Sequence, residues 1–224
     1  MEFLLSTNAG DTPMSLDRIA SGGELSRVML GINCALLGTN SVPTMIYDER
    51  EIRRKQVIEA AKQMMTAART APKGKGIDII EVALVTDEDI RRLSDHMIAM
   101  SQENGMKFFL RDADNILSAE AVLLIGSREE AMCLNCGYCG FPTCGERTEG
   151  VPCAMNTIDV GIAVGSACAT AADLRLDTRV MYSVGYAALK LGWMPGCNYI
   201  IGIPVSASSK NPFFDRKRKV QPQQ

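Results

Sequence analysis

Residues 49–93 read EREIRRKQVIEAAKQMMTAARTAPKGKGIDIIEVALVTDEDIRRL, and the hydrophobic period changes twice along them. Ile52, Val57, Ile58, Ala61, Met64, Met65 and Ala68 recur at helical spacing with charges between them, which predicts a helix over Glu49–Ala71. Pro72, Gly74 and Gly76 end it. Ile79–Val85 is rich in β-branched residues and reads as a strand. Thr86 then reads as an N-cap, with Asp87, Glu88 and Asp89 in the first turn of a second helix that runs to about Asn104. A helix, a strand and a helix in so short a run place the chain in the α/β class.

Downstream the same unit continues. Val122–Ile125 reads as a short buried strand, Ala154–Ala172 and Thr178–Leu191 as helices, and Tyr199–Val205 as a closing strand. Pro204 predicts that this last strand lies at an edge or an end of its sheet. The small residues from Gly161-x3-Gly165 through Ala172 predict close packing between helices. The unit as read spans about 45–216, and 217–224 form a polar tail that shares the basic run Arg216-Lys217-Arg218-Lys219.

Between that strand and that helix lies NCGYCGFPTCGERTEGVPC, residues 135–153, with Cys136, Cys139, Cys144 and Cys153 spaced x2, x4 and x8. Iron–sulfur clusters are held by cysteine thiolates, and two thiolates on a tight C-x2-C turn can reach neighbouring irons of one cube. Gly137 and Gly140 permit sharp turns that bring N–H groups close to sulfide. Structural zinc is the second alternative, although zinc sites usually pair two C-x2-C knuckles across a longer loop. Disulfides are the third, and they need an oxidising compartment. The start MEFLLSTNAGD lacks the basic and long apolar regions of a signal peptide, so the expectation is a cytoplasmic protein. Cys133 offers a competing set, in which Cys133, Cys136, Cys139 and Cys153 are the ligands. Cys34, Cys168 and Cys197 lie among apolar or small residues and read as buried thiols.

The segment Asn135–Cys144 resembles the NCGxCGxPxC segment of the small cluster domain in the B subunit of Rnf-type electron-transport complexes. That resemblance favours Cys136, Cys139 and Cys144 as ligands of a [4Fe-4S] cluster. The last gap is longer in that family, which makes Cys153 the departure.

Upstream, residues 1–49 read differently. IASGGELSR (19–27) runs into an apolar stretch, and VPTMIYDE (42–49) ends in two carboxylates. The first resembles the signature motif of SMC-like ABC ATPases, where a helix N-terminus faces a γ-phosphate. The second resembles a Walker B strand. Together they resemble RecN-type DNA-repair ATPases. No G-x4-GK[ST] loop occurs, and Lys73-Gly74-Lys75-Gly76 has neither its spacing nor its hydroxyl residue. Residues 1–44 are therefore expected to be an ABC-ATPase-like fragment without ATPase activity, joined to a different protein.

The second piece as a whole resembles a family of uncharacterised ferredoxin-domain proteins. AARTAPKGKG (67–76), NCGYCGFPTC (135–144), DVGIAVGS (159–166), DTRVMY (177–182), GIPVS (202–206) and FFDR (213–216) carry that resemblance. More distantly, Arg53-Arg54, AARTAP and TDEDIRRL (86–93) resemble the opening of nitroreductases, α/β enzymes that bind FMN and are usually dimers. That likeness implies an α+β sandwich with the cysteine loop inserted, FMN as a second cofactor, and a homodimer. Arg53 and Arg54 are then its flavin-phosphate residues, since Arg binds phosphate bidentately. Adjacent arginines are also ordinary on the solvated face of an amphipathic helix.

Composition limits the rest. Lys and Arg total 24 against 26 Asp and Glu, a net charge of −2, which gives no electrostatic case for nucleic acid or an acidic membrane. The best transmembrane candidate, Thr157–Ala172, is too short and carries Asp159. His96, the sole histidine, has Asp95 beside it, but adjacent helical residues do not face each other. Met64, Met65, Met97 and Met100 read as core. Three functions stay open: an iron–sulfur oxidoreductase that uses flavin, a non-enzymatic electron carrier that docks to a redox partner protein, and a DNA-repair ATPase remnant. A small-molecule substrate or a partner protein is the expected counterpart.

Overall fold

The computed structural model describes residues 49–214 and, before them, two two-residue strands, Leu4–Leu5 and Met14–Ser15, that pair antiparallel. The chain divides into two compact units, Met1–Asp48 and Glu49–Gln224. The signature-like segment 19–27, the Walker B-like stretch 42–48 and the tail 217–224 lie outside the described residues.

In the second unit α1 (Glu49–Thr70) is followed by β1 (Ile80–Val85), α2 (Asp87–Asn104), α3 (Phe108–Ile116) and β2 (Ala121–Arg128). Then come α4 (Ala154–Asp173), β3 (Asp177–Thr178), α5 (Tyr182–Lys190) and β4 (Cys197–Ser206). The four strands form one sheet in the order β1-β2-β4-β3, antiparallel throughout. Ile80 sits opposite Ser127 and Val85 opposite Val122, while Ala121 pairs with Val205 and Ile125 with Ile201.

Alternation along β2 explains the layers. Ala121, Leu123 and Ile125 face a core completed by α1 and α4, and Val122 and Leu124 face a second core built with α2, α3 and α5. Both faces of β2 are buried, so its sequence is a continuous apolar run with no polar alternation. α1 contributes Val57, Ala61, Met64 and Ala68, a stripe one residue wide, and leaves its charges outside. Each fully buried aliphatic side chain of this kind is worth about 1.5–3 kcal/mol of transfer free energy. Asp112 on α3 is buried, accepts the Ser183 hydroxyl of α5 at 2.5 Å and pairs with Arg111 Nε at 2.8 Å, which joins two helices of the second layer. Among the described residues no helix is long and apolar enough to cross a membrane.

Two local expectations need correction, and two others hold in position but differ in detail. Asp177 and Thr178 are a strand pairing with Ser206 and Val205, and the helix begins only at Tyr182, because 177–181 are held along β4. Pro204 lies in an interior strand. Gly202 exchanges both backbone bonds with Met181, so by alternation Pro204 turns its missing N–H to that same side, away from the β2–β4 ladder. Thr86 is the N-cap residue of α2, with extended backbone as expected; its side chain makes no capping bond, and Asp89 N–H donates to the Thr86 carbonyl at 3.2 Å. Gly161 and Gly165 are exposed, with open space where a Cβ would stand, and Val160, Ala163, Ala167 and Ala171 make the contacts of α4. The close packing between helices is that of α4 on α1, where Ser166 Oγ donates to the Ala67 carbonyl at 2.9 Å. A close helix-to-strand approach lies at Gly185 of α5, where a Cβ would meet the Ile200 carbonyl of β4 at 2.0 Å.

Candidate metal centre

The cysteine-rich loop leaves the end of β2 and returns at the N-terminus of α4, so both ends are fixed by the sandwich. Arg128 secures the departure through Glu81 at 2.6 Å and Glu130 at 2.7 Å. Asn156 Nδ2 in the first turn of α4 donates to the Glu130 carbonyl at 2.5 Å. Gly150 N–H donates to the Glu129 carboxylate, and Arg147 to the Val151 carbonyl. The AARTAPKGKG segment is docked on the same base. Both carboxylate oxygens of buried Asp159 receive the Gly74 N–H at 3.0 Å, and Lys75 Nζ donates to the Met132 carbonyl at 3.2 Å. A Cβ on Gly74 would press on Met132 at 3.3 Å and Asp159 at 3.4 Å, so this close approach depends on glycine.

Cys153 is the N-cap residue of α4 and only 5% exposed. Burial pushes its thiol up, yet backbone N–H groups of Met132, Asn156 and Met155 donate to the sulfur and Arg147 adds positive charge; together they hold it below the ordinary cysteine value. Asn135 brings another cysteine under control. Its N–H donates to Cys144 Sγ at 3.3 Å, while its side-chain oxygen accepts the Cys144 N–H at 2.8 Å. Cys133, Asn135, Gly137 and Gly140 all have positive φ, and Gly140 N–H closes a turn onto the Gly137 carbonyl at 2.9 Å. Cys136 immediately precedes that turn and Cys139 lies within it; Cys133 and Cys136 are exposed, and Cys139 and Cys144 half-buried.

Among the described residues no three Cys, His, Asp or Glu side chains are gathered closely enough to hold a metal ion. The loop therefore fits a cluster by the chemistry of its donors: five thiols, no imidazole, a Cys153 whose thiol is held below its ordinary value, and turns that direct N–H groups. It does not present a closed ligand cage. Cys133 and Cys144 both remain within this one loop, and nothing in the geometry separates the two ligand sets.

The other described cysteines behave differently. Burial raises the thiol of Cys168, and burial with the nearby Glu81 raises that of Cys197 to about 11, against the lowering influence of Arg128. Both are half-buried, where the sequence reading expected buried thiols. Arg53 and Arg54 sit on α1 and are each ion-paired, Arg53 with Glu49 at 3.1 Å and Arg54 with Asp87. Arg54 lines a cleft of ≈ 320 Å³ whose wall also carries Asp87, Glu88 and Glu120, so carboxylates surround it. Sequence reading missed Asp159, Asn135, Asn156 and Lys75 as organisers of the loop. Asp159 had a visible signal, a lone carboxylate in the small, apolar run of α4.

Comparison with known proteins bears on this arrangement. Residues 149–216 match the model of a family described as "Uncharacterized protein containing a ferredoxin domain (DUF2148)". An uncharacterized protein of Archaeoglobus fulgidus is 41% identical over 185 residues, which cover 78% of this chain and 100% of that protein. The DNA repair protein RecN of Xylella fastidiosa (strain Temecula1) is 60% identical over 48 residues, 21% of this chain but only 9% of RecN. A nitroreductase with bound FMN from Bacteroides fragilis superimposes with a TM-score of 0.50 at 11% identity, covering 75% of this chain and 87% of that one. The fold is thus nitroreductase-like.

Proposed function

The chain belongs to the family of uncharacterized proteins containing a ferredoxin domain, and from that premise we propose that it binds a [4Fe-4S] cluster through Cys136, Cys139, Cys144 and Cys153 and serves in electron transfer. The observation that carries this reading is Cys153, buried at the N-terminus of α4 with three N–H donors on its sulfur. A cluster held there supplies one-electron chemistry, with a potential set by hydrogen bonds to sulfur and by exposure.

The residues of the chain supply the rest. Met132, Met155 and Asn156 hold one sulfur as an acceptor of N–H bonds, Asn135 fixes Cys144, and Asp159 and Lys75 keep the base of the loop in place. Cys136 and Cys133 face solvent, which suits exchange with a redox partner protein or a small substrate.

FMN is the second cofactor to weigh, since the similar nitroreductase carries it. Arg53 and Arg54 remain the residues to grip its phosphate, and each must release a carboxylate to do so. Those two ion pairs favour the reading as a carrier without flavin.

The test is anaerobic purification with iron, sulfide, zinc and flavin quantified beside visible and EPR spectra. We expect iron and sulfide in equal amounts near four per chain, with a broad band near 400 nm that bleaches on reduction, as in thiolate-bound clusters (order of magnitude). Stoichiometric FMN would identify the flavin enzyme. Zinc without sulfide would overturn the proposal and leave a structural knuckle.

A further inference from the structure

A second cleft, of ≈ 350 Å³, opens beside the cysteine loop, and its walls include Gly150 and Pro152 of that loop. Pro152 immediately precedes Cys153, so whatever occupies the cleft lies next to the candidate metal centre. The opposite contribution comes from α5, on which Tyr182, Tyr186 and Lys190 follow one another at four-residue intervals and share one face. The rings of Tyr182 and Tyr186 are stacked, 5.5 Å between centroids at 24°, and Lys190 Nζ stands 5.2 Å from the Tyr186 centroid. Asn198 on β4 also lines the cleft, and its buried Nδ2 has no hydrogen-bond partner.

Each feature selects for something in a ligand. A stacked tyrosine pair offers a flat apolar surface that prefers another flat ring. Among the described residues of the lining Lys190 is the only charged one and no carboxylate opposes it, so an anionic group is favoured. A buried amide without an acceptor calls for a carbonyl oxygen. The cleft that Arg54 lines has the opposite character, with three carboxylates and no aromatic ring.

We propose that this cleft binds a flat aromatic ring that carries carbonyl oxygens and one anionic group, a quinone-type acid in chemical class. Its occupancy follows from the cleft alone; its role as an electron-transfer substrate rests on the function proposed above. Free FMN shares the same chemistry and is the alternative source.

The test is calorimetric titration of the full-length, anaerobically purified protein with anthraquinone-2-sulfonate and, separately, with FMN. Saturable binding is expected, weakened about tenfold in Lys190→Ala, the loss of one charge-assisted contact. Tyr182→Ala should also weaken it, and because Tyr182 is 51% exposed its removal leaves the core intact. Arg91→Ala, in the other cleft, should bind like the parent. If Lys190→Ala does not fold, Lys190→Gln replaces it. Whichever probe loses affinity in these variants identifies the source. Absence of binding by both probes, or equal affinity in parent, Tyr182→Ala and Lys190→Ala, overturns the proposal. Iron and sulfide assays on the same samples keep the two readings apart. Ring binding without a cluster sinks only the redox role, and a cluster without ring binding sinks only the cleft.

Discussion

Cys153 is buried and Cys197 half-buried, and their surroundings drive the two thiols in opposite directions. Three N–H groups and Arg147 favour thiolate at Cys153, whereas Cys197 has burial and Glu81 against it. The second case makes a prediction about alkaline stability. The thiol of Cys197 ionises near its ordinary value of 9.0 when unfolded and at about 11 in the fold. Between those values the unfolded chain binds fewer protons, so the contribution is intact below pH 9 and declines as pH rises towards 11. The expected loss is roughly 2 kcal/mol, reduced from the ideal figure because the residue is partly exposed. Urea melts of the parent and Cys197→Ser at pH 8 to 11 check this: the parent should show the steeper decline, and coincident curves would refute it. Sequence reading placed Cys153 among the candidate ligands and Cys197 among the buried thiols, but the groups that surround each sulfur were not legible in it. The distinction comes from Met132, Glu81 and Arg128, none of them adjacent in the chain.

At the scale of elements, the long periodic segments were legible and the short, tertiary-determined ones were not. α1 and β1 stand within a residue of their expected bounds, because 3.6-residue and two-residue patterns carry their own local signal. The start of α5 was misread because Asp177 and Thr178 have no strong pattern and take their conformation from Val205 and Ser206. The loop base was equally hidden: Gly74 and Asp159 are 85 positions apart. This contact is a testable element-to-element tie. Asp159→Ala should cost about 2 kcal/mol, the range for losing a hydrogen bond to a charged, buried acceptor. It should also speed amide exchange at Gly74 and around Met132, while exchange in α2 and α3 stays at parent rates. Unchanged exchange at Gly74 would show that the tie does not hold the segment.

For the whole molecule, the sandwich and the piece before it are separate compact units, and their relatives are different proteins. The first 44 residues are expected to be dispensable. A chain that begins at Met45 should melt at the same temperature as the full chain and carry the same iron and sulfide per molecule. Loss of soluble protein on that truncation would show that the two units depend on each other. The α/β class and the cysteine loop could both be read from local pattern. The all-antiparallel strand order could not, because pairing between β2 and β4 joins residues far apart in the chain, Ala121 with Val205 and Ile125 with Ile201. The order has a consequence at its two margins. On β1 the first outward backbone groups are already occupied, the Ile80 carbonyl by Arg69 and the Ile80 N–H by Asp78 at 3.2 Å. The far margin is only two residues long, and beside it Pro204 has no amide to give. At these positions an incoming strand would meet an occupied Ile80 on one side and a missing amide on the other, so the two margins discourage runaway growth by strand addition there.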